Sequence, residues 1–302
     1  MKKFILSIAI LMVFSTLGSL PTAKADAAPG DKIVVLGEDL TSQQQNDLLK
    51  EMGVDSPDDV QITTVSNADE HKYLGDYIPA AQIGQNAISS AIIVIGEKGD
   101  GLSLQLKNID YITEQMYGNA LSTAGVKDAK IYITAPFEVS GTGALTGIME
   151  AYEITSGVEI DEDKKEVANE EMVITSELSD NESMNDEEAA DFITLIKTKV
   201  SEEKPQTKED IKNLIEEVAN EKNYNLSKEE IEKLVNLFQK FKDLNIDWDA
   251  VNQKVDDAKG KVTDFLESDE GKNFIEKVKD FFRSLWDLLF GGKDSESMDS
   301  VS

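Results

Sequence analysis

An α/β domain with a mixed sheet of four or five strands and covering helices, followed by an all-α helical bundle, is the fold class the sequence predicts. Three observations carry it. Up to about residue 156, short β-branched runs alternate with helical patterns, as in a sheet covered by helices. From Glu159 to Glu188 the chain turns acidic, with thirteen Asp or Glu among thirty residues and no aromatic. Beyond that stretch apolar residues recur only at helical spacing.

The first residues, MKKFILSIAILMVFSTLGSLPTAKADAAPG, pass from two lysines through an apolar run to Ala23-Lys24-Ala25. That is the order of a secretory signal peptide, and it predicts a segment 1–25 removed after Ala25. A retained anchor needs about 20 apolar residues, whereas Ser7, Ser15, Thr16, Gly18 and Ser19 interrupt this run.

The α/β domain is expected over 32–156. KIVVLG (Lys32–Gly37), DVQITTV (Asp59–Val65), SAIIVIG (Ser90–Gly96), LSLQLK (Leu102–Lys107) and AKIYITAPF (Ala129–Phe137) read as strands ended by Gly, Pro or charge. The first helix opens on Thr41 with Gln44 three residues later, buries Leu48, Leu49 and Met52, and stops at Gly53. A second places Met116, Tyr117, Ala120, Leu121 and Ala124 on one face before Gly125. A third starts near Gly141. Gly99-Asp100-Gly101 between two strands predicts a hairpin.

Residues 157–188 read as a mobile acidic linker with some helix. The bundle is expected over 189–290, in five helices. Phe192, Leu195, Ile196 and Val200 form the first stripe, and Ile211, Leu214, Ile215 and Val218 the second. Ser227 with Glu230 caps a third helix carrying Leu234, Val235, Phe238 and Phe241. A fourth runs from Trp248 and a fifth from Asn273, before a disordered tail at 291–302.

Composition narrows the chemistry. The formal charge is −29, and loss of three lysines with the leader takes it to −32. Nucleic acid is therefore not a partner, because phosphate binding rests on Lys and Arg. The chain has no cysteine and one histidine, which excludes thiol catalysis and His- or Cys-based zinc sites.

Three stretches, VVLGEDLT (Val34–Thr41), SNADEHKYL (Ser66–Leu74) and STAGVKDAKIYITAPFEVSGTGALTGIMEAYE (Ser122–Glu153), resemble the YpuA-like family of secreted Gram-positive bacterial proteins of unknown function. The resemblance covers residues 32–155. It implies an exported, envelope-associated protein with an α/β domain and a helical region, and it implies no activity.

Four places carry candidate chemistry. His71 with Asp39 and Asp69 reads as a polar cluster at one end of the sheet, against the commoner alternative of a histidine packed in a helix turn capped by Asn67 or Asp69. Ser140, Gly141, Thr142 and Gly143 form a glycine-bearing turn into a helix whose amides could face an anion. The competing reading has Ser140 or Thr142 capping the helix and Gly147 admitting it close to the sheet. Asp243, Asn245, Asp247 and Asp249 reproduce the opening of a calcium loop, although Trp248 and Lys254 stand where it needs glycine and a bidentate acid. Calcium is accordingly the one cofactor for which the sequence offers a loop. Phe281, Phe282, Trp286 and Phe290 lie on a wide aromatic stripe suited to a membrane surface or a partner, and equally to the closing helix of the bundle.

The expected function is therefore binding outside the cell, to a cell-wall polymer or another envelope protein, with peripheral membrane contact through the last helix as an alternative. A carboxylate-dependent hydrolase acting on an envelope polymer is the catalytic alternative, since it needs neither His nor Cys.

Overall fold

The computed structural model describes residues 28–180, 182–244 and 246. Strands β1 (Lys32–Gly37), β2 (Gln61–Val65), β3 (Ser90–Ile95), β4 (Leu102–Ile109) and β5 (Ala129–Val139) form one mixed sheet in the order β2-β1-β3-β5-β4. β1 pairs parallel with β2, β4 parallel with β5, and β3 antiparallel with both β1 and β5. Four strands thus point one way, and their C-terminal ends share one edge of the sheet.

β3 and β4 do not pair as the expected hairpin, because β5 inserts between them. The Gly99–Gly101 turn reverses the chain without pairing its flanking strands. The insertion lets Ile131 and Ile133 sit beside Ile93 and Ala91 in the middle of the sheet, where apolar residues gain most from burial.

Helix α1 (Ser42–Glu51) follows β1 and opens with the predicted capping box of Thr41 and Gln44. It covers one face of the sheet, packing Leu48, Leu49 and Met52 on Val34, Leu36 and Ile92. The opposite face, with Ile33, Val35, Ile93, Ile131 and Ile133, takes α4 (Glu114–Ala124) and α5 (Thr142–Ser156). Gly147 brings α5 onto β1 and β2: a Cβ there would lie 2.6 Å from Val35 Cγ1 and 3.2 Å from Val65 Cβ. Two short helices, α2 (Asn67–Leu74) and α3 (Ala80–Ile83), follow β2.

The stretch expected to be a mobile linker is instead a helix at the centre of the molecule. α6 (Glu162–Ser179) runs for 18 residues, starting from the Asp161 cap. Its Ala168, Met172 and Val173 complete the sheet core, whereas Val167, Ile174 and Leu178 belong to a second core. That second core is shared with α7 (Asp186–Glu203), α8 (Lys208–Lys222) and α9 (Lys228–Asp243). The helices after the sheet therefore do not stand apart as an independent bundle, because α6 forms a wall of both cores. The fourth and fifth helices expected of that bundle lie outside the described residues.

An acidic helix can be buried here because lysines from elsewhere meet its carboxylates. Glu170 pairs with Lys240 at 2.7 Å, and Glu177 with Lys233 at 2.8 Å. Glu171 and Lys197 are both fully buried and pair at 2.7 Å. The Lys197 ammonium also donates to Thr123 Oγ1 at 2.8 Å and to the Asn119 carbonyl at 3.0 Å, so all three of its N–H groups are used. Thr123 donates in turn to the other Glu171 oxygen. Burial pulls the Lys197 ammonium below its ordinary pKa, and Glu171 opposes that pull. One ion pair thus ties α4, α6 and α7 together.

Lys197→Met is expected to cost about 3–5 kcal/mol in urea denaturation, since it strands the Glu171 charge in the interior. Lys197→Met combined with Glu171→Leu should recover most of that loss. Simple addition of the two single losses would show that the pair is not coupled.

Candidate functional site

The C-terminal ends of parallel strands are where α/β sheets place ligand sites, because the following loops and helix N-termini converge there. Here β1 delivers Asp39, β2 delivers α2, and β5 delivers Ser140 and the start of α5. Asp39 Oδ2 accepts the Ala87 N–H at 2.8 Å, which ties the β1 loop to the start of β3. α2 begins one turn earlier than expected, with Ser66 rather than Asn67 or Asp69 as its N-cap. Asp69 closes a capping box, accepting the Ser66 N–H at 2.9 Å while Ser66 Oγ accepts the Asp69 N–H at 3.2 Å.

Asp39 and Asp69 both lie close enough to Glu70 to act on its charge, which makes Glu70 the buried acid at this end of the sheet. The Glu70 side chain is 3% exposed and has no hydrogen-bond partner among the described residues. Burial, then Asp39 and Asp69, push its carboxyl up to about 8. His71, one residue on, is half-buried and makes no side-chain hydrogen bond among the described residues. Helical spacing could have singled out Glu70, since it lies three and four residues before the buried Tyr73 and Leu74.

The glycine turn meets this carboxyl directly. Gly141 is the N-cap of α5 at φ +87°, and no side chain caps the helix. The expected cap from Ser140 or Thr142 is therefore replaced by a contact between the two hydroxyls, 3.2 Å apart. The Tyr117 hydroxyl donates to the Gly141 carbonyl, and burial together with Glu70 raises its pKa. A Cβ on Gly143 would overlap the Glu70 carboxyl. The N-terminus of α5 thus faces an acidic group of the chain itself, and the helix dipole favours its charged form while burial and the neighbouring carboxyls oppose it.

Of these groups Glu70 can give up or take a proton near neutral pH, and its contact with Gly143 holds α2 against α5. The carboxyls do not form a metal centre, since no group of three acidic or histidine side chains among the described residues is placed to hold an ion. Of the calcium-loop residues, Asp243 ends α9 and accepts from Gln239 at 3.4 Å. Asn245, Asp247 and Asp249 lie outside the described residues, as do Phe281, Phe282, Trp286 and Phe290. Among the described residues no helix is long and apolar enough to cross a membrane.

Gly143→Ala is expected to destabilise by about 1–3 kcal/mol, through the cost of overpacking a site already filled by Glu70. In a Glu70→Ala background the same change should be neutral or mildly stabilising, because alanine favours a helix over glycine. Equal losses in both backgrounds, read from thermal unfolding, would mean that Glu70 does not occupy that space.

Comparison with known proteins gives the chain relatives but no activity. A family model described as "Protein of unknown function (DUF1002)" matches residues 36–258. "Uncharacterized protein YpuA" of Bacillus subtilis (strain 168) is 49% identical over 293 residues, which is 96% of this chain and 98% of that protein. No solved structure matches. The fold described above, with Asp39, Asp69, Glu70 and the Gly141–Gly143 turn all inside the matched region, is therefore that of a chain belonging to the DUF1002 family of proteins of unknown function.

Proposed function

We propose that this protein is exported to the cell envelope and acts there by binding rather than by catalysis. The observation that supports this most is the closure of the carboxyl cluster. Glu70 is 3% exposed, while Asp39 and Asp69 accept hydrogen bonds from Ala87 and Ser66, so the groups best suited to acid–base work are committed to the fold. The basic, apolar and small-residue order of segment 1–25 supports export. The partner in this reading is an anionic wall polymer reached through calcium, or another envelope protein. A chain of formal charge −29 meets an anionic polymer through a divalent cation, and extracellular calcium sites work at millimolar affinity.

One observation favours a second reading. Carboxyls from two separate strand ends converge, and a carboxyl held protonated near neutral pH is what a general acid in glycoside hydrolysis requires. Dye release from stained wall sacculi by the native chain, and not by Glu70→Gln, would establish that reading.

Co-sedimentation of the protein with purified wall sacculi carrying their anionic polymers tests the first. Retention with millimolar calcium and release by a chelator is expected. Retention in chelator would replace the cation bridge with a direct polymer site, and no retention in either condition would remove the wall as partner.

A further inference from the structure

The carboxyl cluster has a geometry that binding alone does not explain. α2 is eight residues long; its last turn seats Tyr73 and Leu74 in the interior, and its polar groups are held at three points. The Ser66–Asp69 box fixes its start, and Lys72 and Tyr73 reach Glu162 on α6 from its outer side. On its inner side Glu70 is pressed against Gly143, at the uncapped start of α5. That inner contact is the only one of the three built on a buried carboxyl with no hydrogen-bond partner among the described residues. We propose that α2 is a proton-operated latch: with Glu70 neutral it lies closed over the N-terminus of α5, and loss of that proton lets it lift and uncover the first-turn amides of α5 together with Asp39 and Asp69.

The groups that face Glu70 explain why the charge is not tolerated. Asp39 from the β1 loop and Asp69 from α2 itself are both acidic, and both raise its pKa. From α4 comes Tyr117, whose hydroxyl is already given to the Gly141 carbonyl. α5 contributes no acidic side chain in its first turn; its N–H groups there favour the charge and are the opposing influence, and its Glu150 interacts electrostatically with Asp69. α3, AAQI in sequence, carries no charge. The lysines on this side of the molecule are engaged elsewhere: Lys72 with Glu162, and Lys165 with Glu153 at 2.7 Å. Thr146, one turn along α5 from Gly143, has a buried hydroxyl that makes no hydrogen bond among the described residues, to Glu70 or to any other group.

The direction with pH follows from proton linkage. The folded chain holds the Glu70 proton up to about 8, whereas a free glutamate gives it up near the ordinary value of 4.5. Between those values the folded state binds more protons than the unfolded one, so the closed form loses stability as pH rises through this window. The loss is complete above the folded value.

Amide hydrogen exchange on the whole chain, corrected for the chemical exchange rate, reads the latch directly. Protection across residues 67–74 and 142–149 is expected to fall about tenfold or more between roughly pH 6.5 and 9, while β1 and β5 keep theirs. In Glu70→Gln the fall should vanish. In Asp39→Asn, which removes a like charge, its midpoint should move to lower pH. An unchanged protection profile in the native chain, or the same fall in Glu70→Gln, would overturn the proposal. Should Glu70→Gln fail to fold, an unmoved midpoint in Asp39→Asn would overturn it equally.

Discussion

The burial of α6 is the constraint to which the other helices answer. Its two apolar faces serve different cores, one under the sheet and one among α7, α8 and α9. A helix in that position has almost no side left for solvent, yet this one carries Glu170 and Glu171 inside. Moving a carboxylate from water to the interior costs several kcal/mol unless a partner and further hydrogen bonds compensate. Lys197 meets that demand with a full set of acceptors, and Lys240 and Lys233 do so nearer the surface. Such pairs add little net stability, but they allow few alternative arrangements, because any shift of α7 or α9 along α6 would strand a charge.

The same demand is left unmet at Glu70, and the contrast between the two sites is informative. Glu171 has Lys197 and Thr123, whereas Glu70 has two acids and a tyrosine already in use. A buried carboxyl without a cation resolves its cost by keeping its proton. The first site holds elements together at any ordinary pH, and the second holds them only while protonated. Both lie against helices that close the sheet core, so the fold joins a permanent fastening to a conditional one within a single hydrophobic cluster.

Much of this was legible where the governing chemistry is local. The boxes at Thr41 and Ser227, the left-handed stop at Gly125 and the close approach at Gly147 all follow from residues within one turn or from the absence of a side chain. Strand pairing was not legible, because alternation identifies a strand but not its neighbour, so β3 and β4 looked like a hairpin. α6 looked like a linker because its compensating lysines are remote, 26 residues from Glu171 to Lys197 and 70 from Glu170 to Lys240. At the candidate site Asp39, Asp69 and the glycine turn were visible as polar and glycine-rich positions. Glu70 was overlooked beside its polar neighbours Asp69 and His71, although its spacing from Tyr73 and Leu74 places it on the buried face.

The insertion of β5 between β3 and β4 also bears on how the chain is made. Synthesis runs from the N-terminus, so β1, β2 and β3 are complete while residues 129–139 have yet to emerge. Until then β3 has a bare edge along Ser90–Ile95, five of whose six residues are buried in the finished protein. An open, apolar strand edge is a template for pairing with the wrong chain. The nascent protein therefore passes through an interval in which its middle strand is its most adhesive surface. Delaying folding until the whole sheet is available would serve it better than folding as it grows.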